Sequence, residues 1–113
     1  MADRFEDHRG VIQDIIGRID AVTRITTVKG AVRGNHYHEK TTQWTLVLSG
    51  KLLMATGSEK TEMWPGQVVK HEPGVPHAWK ALEDSECVVF AKGPRAGDEY
   101  DTDTFRLEEP LLS

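Results

Sequence analysis

Apolar residues in this chain come in short runs that are separated by glycine and polar turns, without the long three-to-four-residue spacing of an amphipathic helix. Runs of this length predict β-strands. The predicted strands are Val11–Ile16, Ala21–Val28, Gln43–Leu48, Lys51–Thr56, Gln67–His71, Pro76–Leu82 and Glu86–Ala91. Seven or more short strands in 113 residues predict an all-β fold, an antiparallel barrel or sandwich.

The turn residues between these runs agree with that prediction. Ser49-Gly50 predicts a hairpin connection, and the segment 57–60 predicts a loop. Pro65-Gly66 predicts a turn, while Pro73-Gly74 has the order that a type II turn needs. We expect the tail from Gly93 to Ser113 to pack along the outside.

Length, charge and cysteine content narrow the class of protein. A chain of 113 residues predicts one domain, residues 1–113, with a single core. The net charge of −4 gives no basic surface for nucleic acid. The lone Cys87 cannot form an internal disulfide and suits a reducing cytosol. With no signal sequence and no apolar run long enough for a membrane span, we expect a cytoplasmic protein that binds neither nucleic acid nor membrane.

His36 and His38, one residue apart just before a strand-like run, are the first candidates for chemistry. In a strand, side chains two apart project from the same face, with Cα atoms roughly 6.5–7 Å apart. Two imidazoles at that spacing can bind one cation. Imidazole suits zinc, iron, nickel or copper and does not decide among them.

The segment 30–50 resembles the first motif of the cupins: Gly, five residues, His-x-His, three or four residues, usually Glu, six residues and Gly. Gly30, His36, His38 and Gly50 match this motif, and Gln43 replaces the Glu.

The segment 66–81 resembles the second cupin motif, in which Gly66, Gly74 and His77 match. Glu72 stands where the family usually has Pro, and Ala81 where it usually has Asn. The resemblance implies a jelly-roll cupin barrel of the RmlC-like superfamily. It also implies a divalent metal ion, such as zinc, iron, nickel or manganese, bound by His36, His38, Gln43 and His77.

Gln43 is an informative departure from the motif, because a carboxamide is a weaker and uncharged ligand. Either the ion is held and keeps its full charge, which acidifies water or polarises a ligand, or it is held so loosely that the histidines act without it. A third interpretation is that Gln43 only forms a hydrogen bond to a neighbouring strand.

Trp79 follows His77 by two residues, so strand alternation directs it to the same interior, where an aromatic wall suits a sugar or nucleobase. A core tryptophan is the alternative interpretation. His71 is expected to support the site from behind or to lie on the surface.

The segment Arg33-Gly34-Asn35-His36 and the opening Phe5–Gly10 give a narrower resemblance. They are similar to cupins that act on nucleotide-linked sugars: dTDP-4-dehydrorhamnose 3,5-epimerases, dTDP-4-keto-6-deoxyhexose 3,4-ketoisomerases and the cupin domain of capsule-sugar reductases. This resemblance implies that His36 is a catalytic base, assisted by His38 and Gln43. Strict alternation turns Arg33 away from the face of His36 unless Gly34 permits a bulge.

Three hypotheses follow. The first is an isomerase or epimerase of ketosugars, with catalytic His36 and His38 and substrate contacts from Arg33 and Trp79; Arg33, Lys80 or a bound ion would stabilise the enolate. The second is a metal-dependent oxygenase or lyase that uses His36, His38 and His77. The third is a non-catalytic module that binds a small molecule. Because a sheet this small leaves open edges, we also expect a homodimer.

Overall fold

The computed structural model describes residues 4–94 and 102–113, and within these residues the chain is built from β-strands. The strands are β1 (Arg4–Asp7), β2 (Gly10–Gln13), β3 (Ala21–Thr27), β4 (Val32–Tyr37), β5 (Thr42–Ser49), β6 (Leu52–Thr56), β7 (Glu59–Met63), β8 (Val68–His71), β9 (His77–Ala81), β10 (Ser85–Lys92) and β11 (Phe105–Arg106). No α-helix occurs in these ranges, so none of their segments is a helix that could cross a membrane.

The strands form two main sheets and a separate hairpin, and every pairing is antiparallel. The four-stranded sheet has the order β3-β10-β5-β8, and the five-stranded sheet has the order β11-β4-β9-β6-β7. The hairpin β1-β2 pairs only within itself among these strands. The two main sheets form a jelly-roll-like sandwich, which confirms the predicted all-β antiparallel fold class.

Burial alternates along β5 and β10, while β6 and β9 are buried on both faces for part of their length. On β5, Gln43, Thr45 and Val47 are buried while the residues between them are more exposed. The main apolar cluster comprises Val47, Leu52, Met54, Met63, Trp79, Ala81, Cys87 and Val89. Burial raises the pKa of the Cys87 thiol to about 11. The free thiol is therefore a packed core group.

A second apolar cluster lies outside the five-stranded sheet. Leu112 is buried against Ala55 and Ala78, and Leu111 packs beside it. The end of the chain therefore runs along the outside of the sandwich, as the sequence predicts. The part of the predicted tail at 95–101 lies outside the described residues.

Two turn predictions were wrong. Ser49-Gly50 is not a hairpin, because β5 belongs to one sheet and β6 to the other, so this connection crosses between sheets. The predicted loop 57–60 is shorter, because Glu59 pairs with Thr56 and begins β7. Gly57 has a φ of 59°, as the first central position of a type II′ turn requires.

The strand predictions hold for six of the seven predicted runs with small shifts at their ends. The exception is Val11–Ile16, because β2 ends at Gln13. In this antiparallel pair, Gln13 lies opposite Arg4, the first residue of β1. The predicted strand therefore stops where pairing stops.

Candidate functional site

A bulge in β4 shapes the candidate site. Gly34 and Asn35 have φ values of 90° and 59°, and the pairing of β4 with β9 shifts register between Gly34 and His36. A Cβ atom on Gly34 would lie 2.9 Å from the Ala78 Cα and from the His77 carbonyl oxygen, so only glycine fits. The extra residue lets Arg33 and His36 line one cavity, although they are three positions apart.

Three histidines from the two cupin-like motifs converge beside this bulge. The ring centroid of His36 lies 4.8 Å from those of His38 and His77, and the His38 and His77 centroids are 5.3 Å apart. One ring nitrogen from each histidine lies within 4.8 Å of the others. The structure thus brings together all three predicted histidines.

His38 is held at both ring nitrogens. Its Nδ1 lies 2.6 Å from the Asp103 carbonyl oxygen, and its Nε2 lies 3.1 Å from Gln43 Oε1. A carbonyl can only accept, so Nδ1 carries the proton and a neutral His38 presents a lone pair at Nε2. The Gln43 amide must then either turn to donate to that lone pair or share a cation with it.

A fourth histidine, His71, lies behind His77. The rings of His71 and His77 stack with centroids 4.3 Å apart, and His71 Nε2 lies 3.0 Å from Thr45 Oγ1. Because His71 is buried, the prediction of a surface role was wrong and the supporting role is the one that its position allows.

Burial keeps both stacked imidazoles neutral. Burial, and then the proximity of His38 and His36, lowers the pKa of His71 from 6.5 to about 4. Burial and the three neighbouring histidines lower the pKa of His77 to about 2, against a small opposing effect of the Val75 carbonyl. Neutral imidazole is the form that can bind a metal or accept a proton.

The cavity beside the histidines has a volume of about 180 Å³. It is lined by Ile25, Arg33, Gly34, His36, Gln43, His77, Trp79 and Val89. Pockets that bind drug-sized ligands have volumes of about 300–1,000 Å³. The cavity therefore suits one ring-sized group, with imidazoles at one side and a tryptophan in the wall.

Thr27 on β3 links the two predicted substrate-binding residues. Arg33 Nε and Trp79 Nε1 both donate to Thr27 Oγ1, at 3.1 and 3.3 Å. Arg33 also donates to the Thr26 carbonyl oxygen at 2.9 Å. The other predicted cationic side chain, Lys80, lies on the opposite face of β9 and donates to the Ser113 carbonyl, so it does not reach the cavity.

Sequence reasoning missed three polar residues that hold this site, Thr27, Thr45 and Asp103. Alternation along β3 and β5 could have indicated that Thr27 and Thr45 face inward. Nothing local indicates Asp103, because it is 65 residues from the histidine it contacts.

Comparisons with solved structures find sugar-modifying enzymes. The chain is similar to QdtA, a sugar 3,4-ketoisomerase from Thermoanaerobacterium thermosaccharolyticum in complex with TDP, with 24% identity, a TM-score of 0.69, and coverage of 95% of this chain and 85% of that chain. A double mutant of the same enzyme, also with TDP, gives 27% identity and a TM-score of 0.68, covering 94% of this chain and 83% of that one.

A dTDP-4-dehydrorhamnose 3,5-epimerase from Sulfolobus tokodaii gives 22% identity and a TM-score of 0.63, covering 80% of this chain and 66% of that chain. The capsular polysaccharide assembling protein CapF from Staphylococcus aureus gives 23% identity and a TM-score of 0.66 over 96% of this chain, which spans only 35% of that protein. Identities this low show a shared fold.

No curated protein matches the sequence. The sequence profile of the Cupin domain family matches residues 23–91, more than half of the chain, and includes both histidine motifs. The chain therefore belongs to the cupin family.

Proposed function

We propose that this cupin is an isomerase or epimerase of a nucleotide-linked ketosugar, with His36 as the base. The observation that carries the proposal is the β4 bulge, which brings Arg33 and His36 into one cavity with Trp79. Moving a carbonyl, or inverting the carbon beside it, requires a base that removes a carbon-bound proton. A neutral imidazole is suited to this task near pH 7.

The other residues take supporting roles in this proposal. The Arg33 guanidinium, oriented by Thr27, supplies positive charge for the enolate oxygen. Trp79 offers a flat apolar surface to the sugar ring. His38 is buried and does not line the cavity, so it assists His36 without touching the substrate, whereas Gln43, 3.1 Å from His38 Nε2, assists from the cavity wall.

The same residues also fit a divalent cation, whose identity among zinc, iron, nickel, manganese and copper they do not select. His36, His38, His77 and Gln43 would hold it, and when bound it would polarise a carbonyl oxygen as a Lewis acid. Two nitrogens bound at 2.0–2.1 Å to one tetrahedral zinc ion lie about 3.4 Å apart. The three nitrogens here lie within 4.8 Å of one another, so the rings would rotate toward each other to bind one ion.

This convergence of three histidines favours a second candidate function, a metal-dependent oxygenase or lyase of a small molecule. The two candidates differ in what the protein needs. The isomerase uses the imidazole of His36 as a base, whereas the oxygenase or lyase needs all three imidazoles as ligands.

The proposed partners are a nucleotide-linked sugar and a second copy of the chain, with a cytoplasmic location as expected from the sequence. A cavity of about 180 Å³ would hold the sugar ring alone, so the nucleotide would lie at its mouth. Phe5 and Ile12 on the β1-β2 hairpin, and Leu48 and Val68 on the outer face of the four-stranded sheet, are exposed apolar residues. A two-stranded hairpin is only marginally stable alone, so we propose that a second copy covers these surfaces. Sedimentation at micromolar concentration should show a dimer, and a strict monomer would contradict this.

The function is tested by incubating the purified protein with a TDP-linked 4-keto-6-deoxyhexose and following the sugar protons by NMR. Metal content is measured on the same sample, with and without chelator. We expect conversion to an isomer or epimer that survives chelation. Binding without conversion would support the non-catalytic module, and turnover of other small molecules that requires bound metal would support the oxygenase or lyase.

A further inference from the structure

Asp103 is buried beside the histidines although no motif contains it. Its carboxylate accepts hydrogen bonds from the backbone N–H groups of Glu39 and Lys40, at 2.9 and 3.0 Å, and from the Thr41 hydroxyl at 2.6 Å. These three donors form the turn that directly follows His38. The carboxylate therefore anchors the C-terminal segment to the first histidine motif.

The backbone carbonyl of the same residue faces the ring of His38. His38 Nδ1 donates to it at 2.6 Å. Side chain and main chain of Asp103 thus hold the His38 region from two directions. Two residues later, β11 begins and pairs Arg106 with His36, so one short segment contacts both predicted catalytic histidines, His36 through the backbone and His38 through its ring.

This contact decides which tautomer His38 adopts. With the proton on Nδ1, the Nε2 lone pair faces Gln43. With the proton on Nε2, the Nδ1 lone pair would face the Asp103 carbonyl oxygen, and two buried acceptors would repel each other at 2.6 Å. The position of the Asp103 carbonyl therefore keeps the Nε2 lone pair available.

We infer that Asp103 is the positioning residue of His38: its carboxylate fastens the C-terminal segment to residues 39–41, and this places the carbonyl that fixes the ring and its tautomer. As a statement about catalysis this inference rests on the proposed function. As a statement about the state of His38 it stands without any substrate.

The test is the tautomer of His38 in the full-length protein, read by long-range proton–nitrogen NMR of ¹⁵N-labelled imidazoles in a chelator-containing buffer. In the wild type we expect a protonated Nδ1 and an unprotonated Nε2. Asp103→Ala should give a mixture of tautomers. Asp103→Asn, which keeps an oxygen acceptor for the turn, should restore most of the wild-type signal.

Asp84→Ala is the matched control, because Asp84 also caps a loop by accepting from a backbone N–H, that of Lys29, at 2.8 Å. It should leave the His38 signals unchanged. If Asp103→Ala does not fold, Thr41→Val removes one donor to the carboxylate and should shift the tautomer in the same direction by less. A folded Asp103→Ala, or in its place Thr41→Val, that keeps the single wild-type tautomer would overturn the inference.

With an active protein, turnover adds a second readout. Loss of the outer partner that orients a metal-binding histidine costs about 10–100-fold in activity, and we expect the same range for the residue that positions His38. We expect kcat of Asp103→Ala to fall by this factor, with KM little changed because Asp103 does not line the cavity. A protein that converts no ketosugar would refute the proposed function and leave the tautomer result intact.

Discussion

His36 and His71 both contact the ring of His77, at centroid distances of 4.8 and 4.3 Å, yet their surroundings differ. His36 is half-buried and lines the cavity together with Arg33 and Gly34. His71 is 1% exposed, bonded to Thr45 and held neutral by burial. Convergence of imidazoles therefore does not by itself define the role of each histidine. Access to the cavity separates the residue that can meet a substrate from the one that supports the site.

Replacing each of the two histidines separately should give the largest difference in activity. His36→Asn should lower kcat/KM on a ketosugar by about 10²–10⁴, the usual contribution of a general base. His71→Phe, which can keep the stack on His77, should change it less than about tenfold. His8→Asn, an exposed position in the β1-β2 turn, is the matched control. Equal losses in the His36 and His71 variants would remove the distinction.

The β4 bulge that gives His36 its access can be tested through stability. Gly34 and Gly66 both have a φ of 90°, but a Cβ at Gly34 meets backbone atoms at 2.9 Å and one at Gly66 meets nothing. Strain at such a φ costs about 1–3 kcal/mol, so Gly66→Ala measures strain alone. Gly34→Ala should lose at least about 1 kcal/mol more of the free energy of unfolding in denaturant titrations. Equal losses of stability in Gly34→Ala and Gly66→Ala would mean that β9 moves away from the added Cβ atom without cost.

A charge change at Gln43 distinguishes a histidine base from a metal ion as the reactive group in the cavity. Gln43→Glu adds a negative charge beside His38, which opposes an anionic enolate and should lower turnover about tenfold. The same charge should raise metal content if the histidines are ligands. Gln67→Glu, an exposed position whose Oε1 accepts from the Trp64 backbone, is the control. A rise in turnover together with metal content would favour the metal-dependent reaction.

The buried, neutral state of His71 should make the free energy of unfolding depend on pH. The pKa of His71 is lowered from 6.5 to about 4, so between these values the unfolded chain binds a proton that the folded chain does not. The free energy of unfolding should therefore fall as pH drops below about 6.5, by at most about 1.4 kcal/mol per unit for each such imidazole. In chelator-containing buffer, His71→Leu should flatten this slope and His8→Gln should not. An unchanged slope in His71→Leu would contradict the neutral, buried state.

Much of the fold follows from the sequence, because strand alternation and turn glycines are local signals. The predicted strands around residues 21–28, 43–56 and 67–91 occur close to their predicted bounds. The wrong hairpin at Ser49-Gly50 shows the limit of such signals. Two apolar runs joined by a tight glycine turn look the same whether they pair in one sheet or cross to the other, and only the packing of the whole sandwich decides.

The candidate site was predictable where residues lie within a motif. His36, His38 and His77 converge as the resemblance to the two cupin motifs implied, and Gly34 forms the bulge that Arg33 needs in order to share their cavity. The supporting contacts were not predictable. Asp103 reaches His38 from the end of the chain, and residue types alone do not indicate which distant carbonyl meets a given imidazole.

The central claim, that His36 removes a carbon-bound proton from a ketosugar, is tested most directly by exchange in deuterated water. The TDP-linked 4-keto-6-deoxyhexose is incubated with wild-type protein and with folded His36→Asn, and deuterium at the carbon beside the carbonyl is measured by NMR and mass spectrometry. We predict incorporation with the wild type and none above the protein-free background with His36→Asn. Exchange that survives in His36→Asn would contradict the assignment of the base, whatever the metal content of either protein.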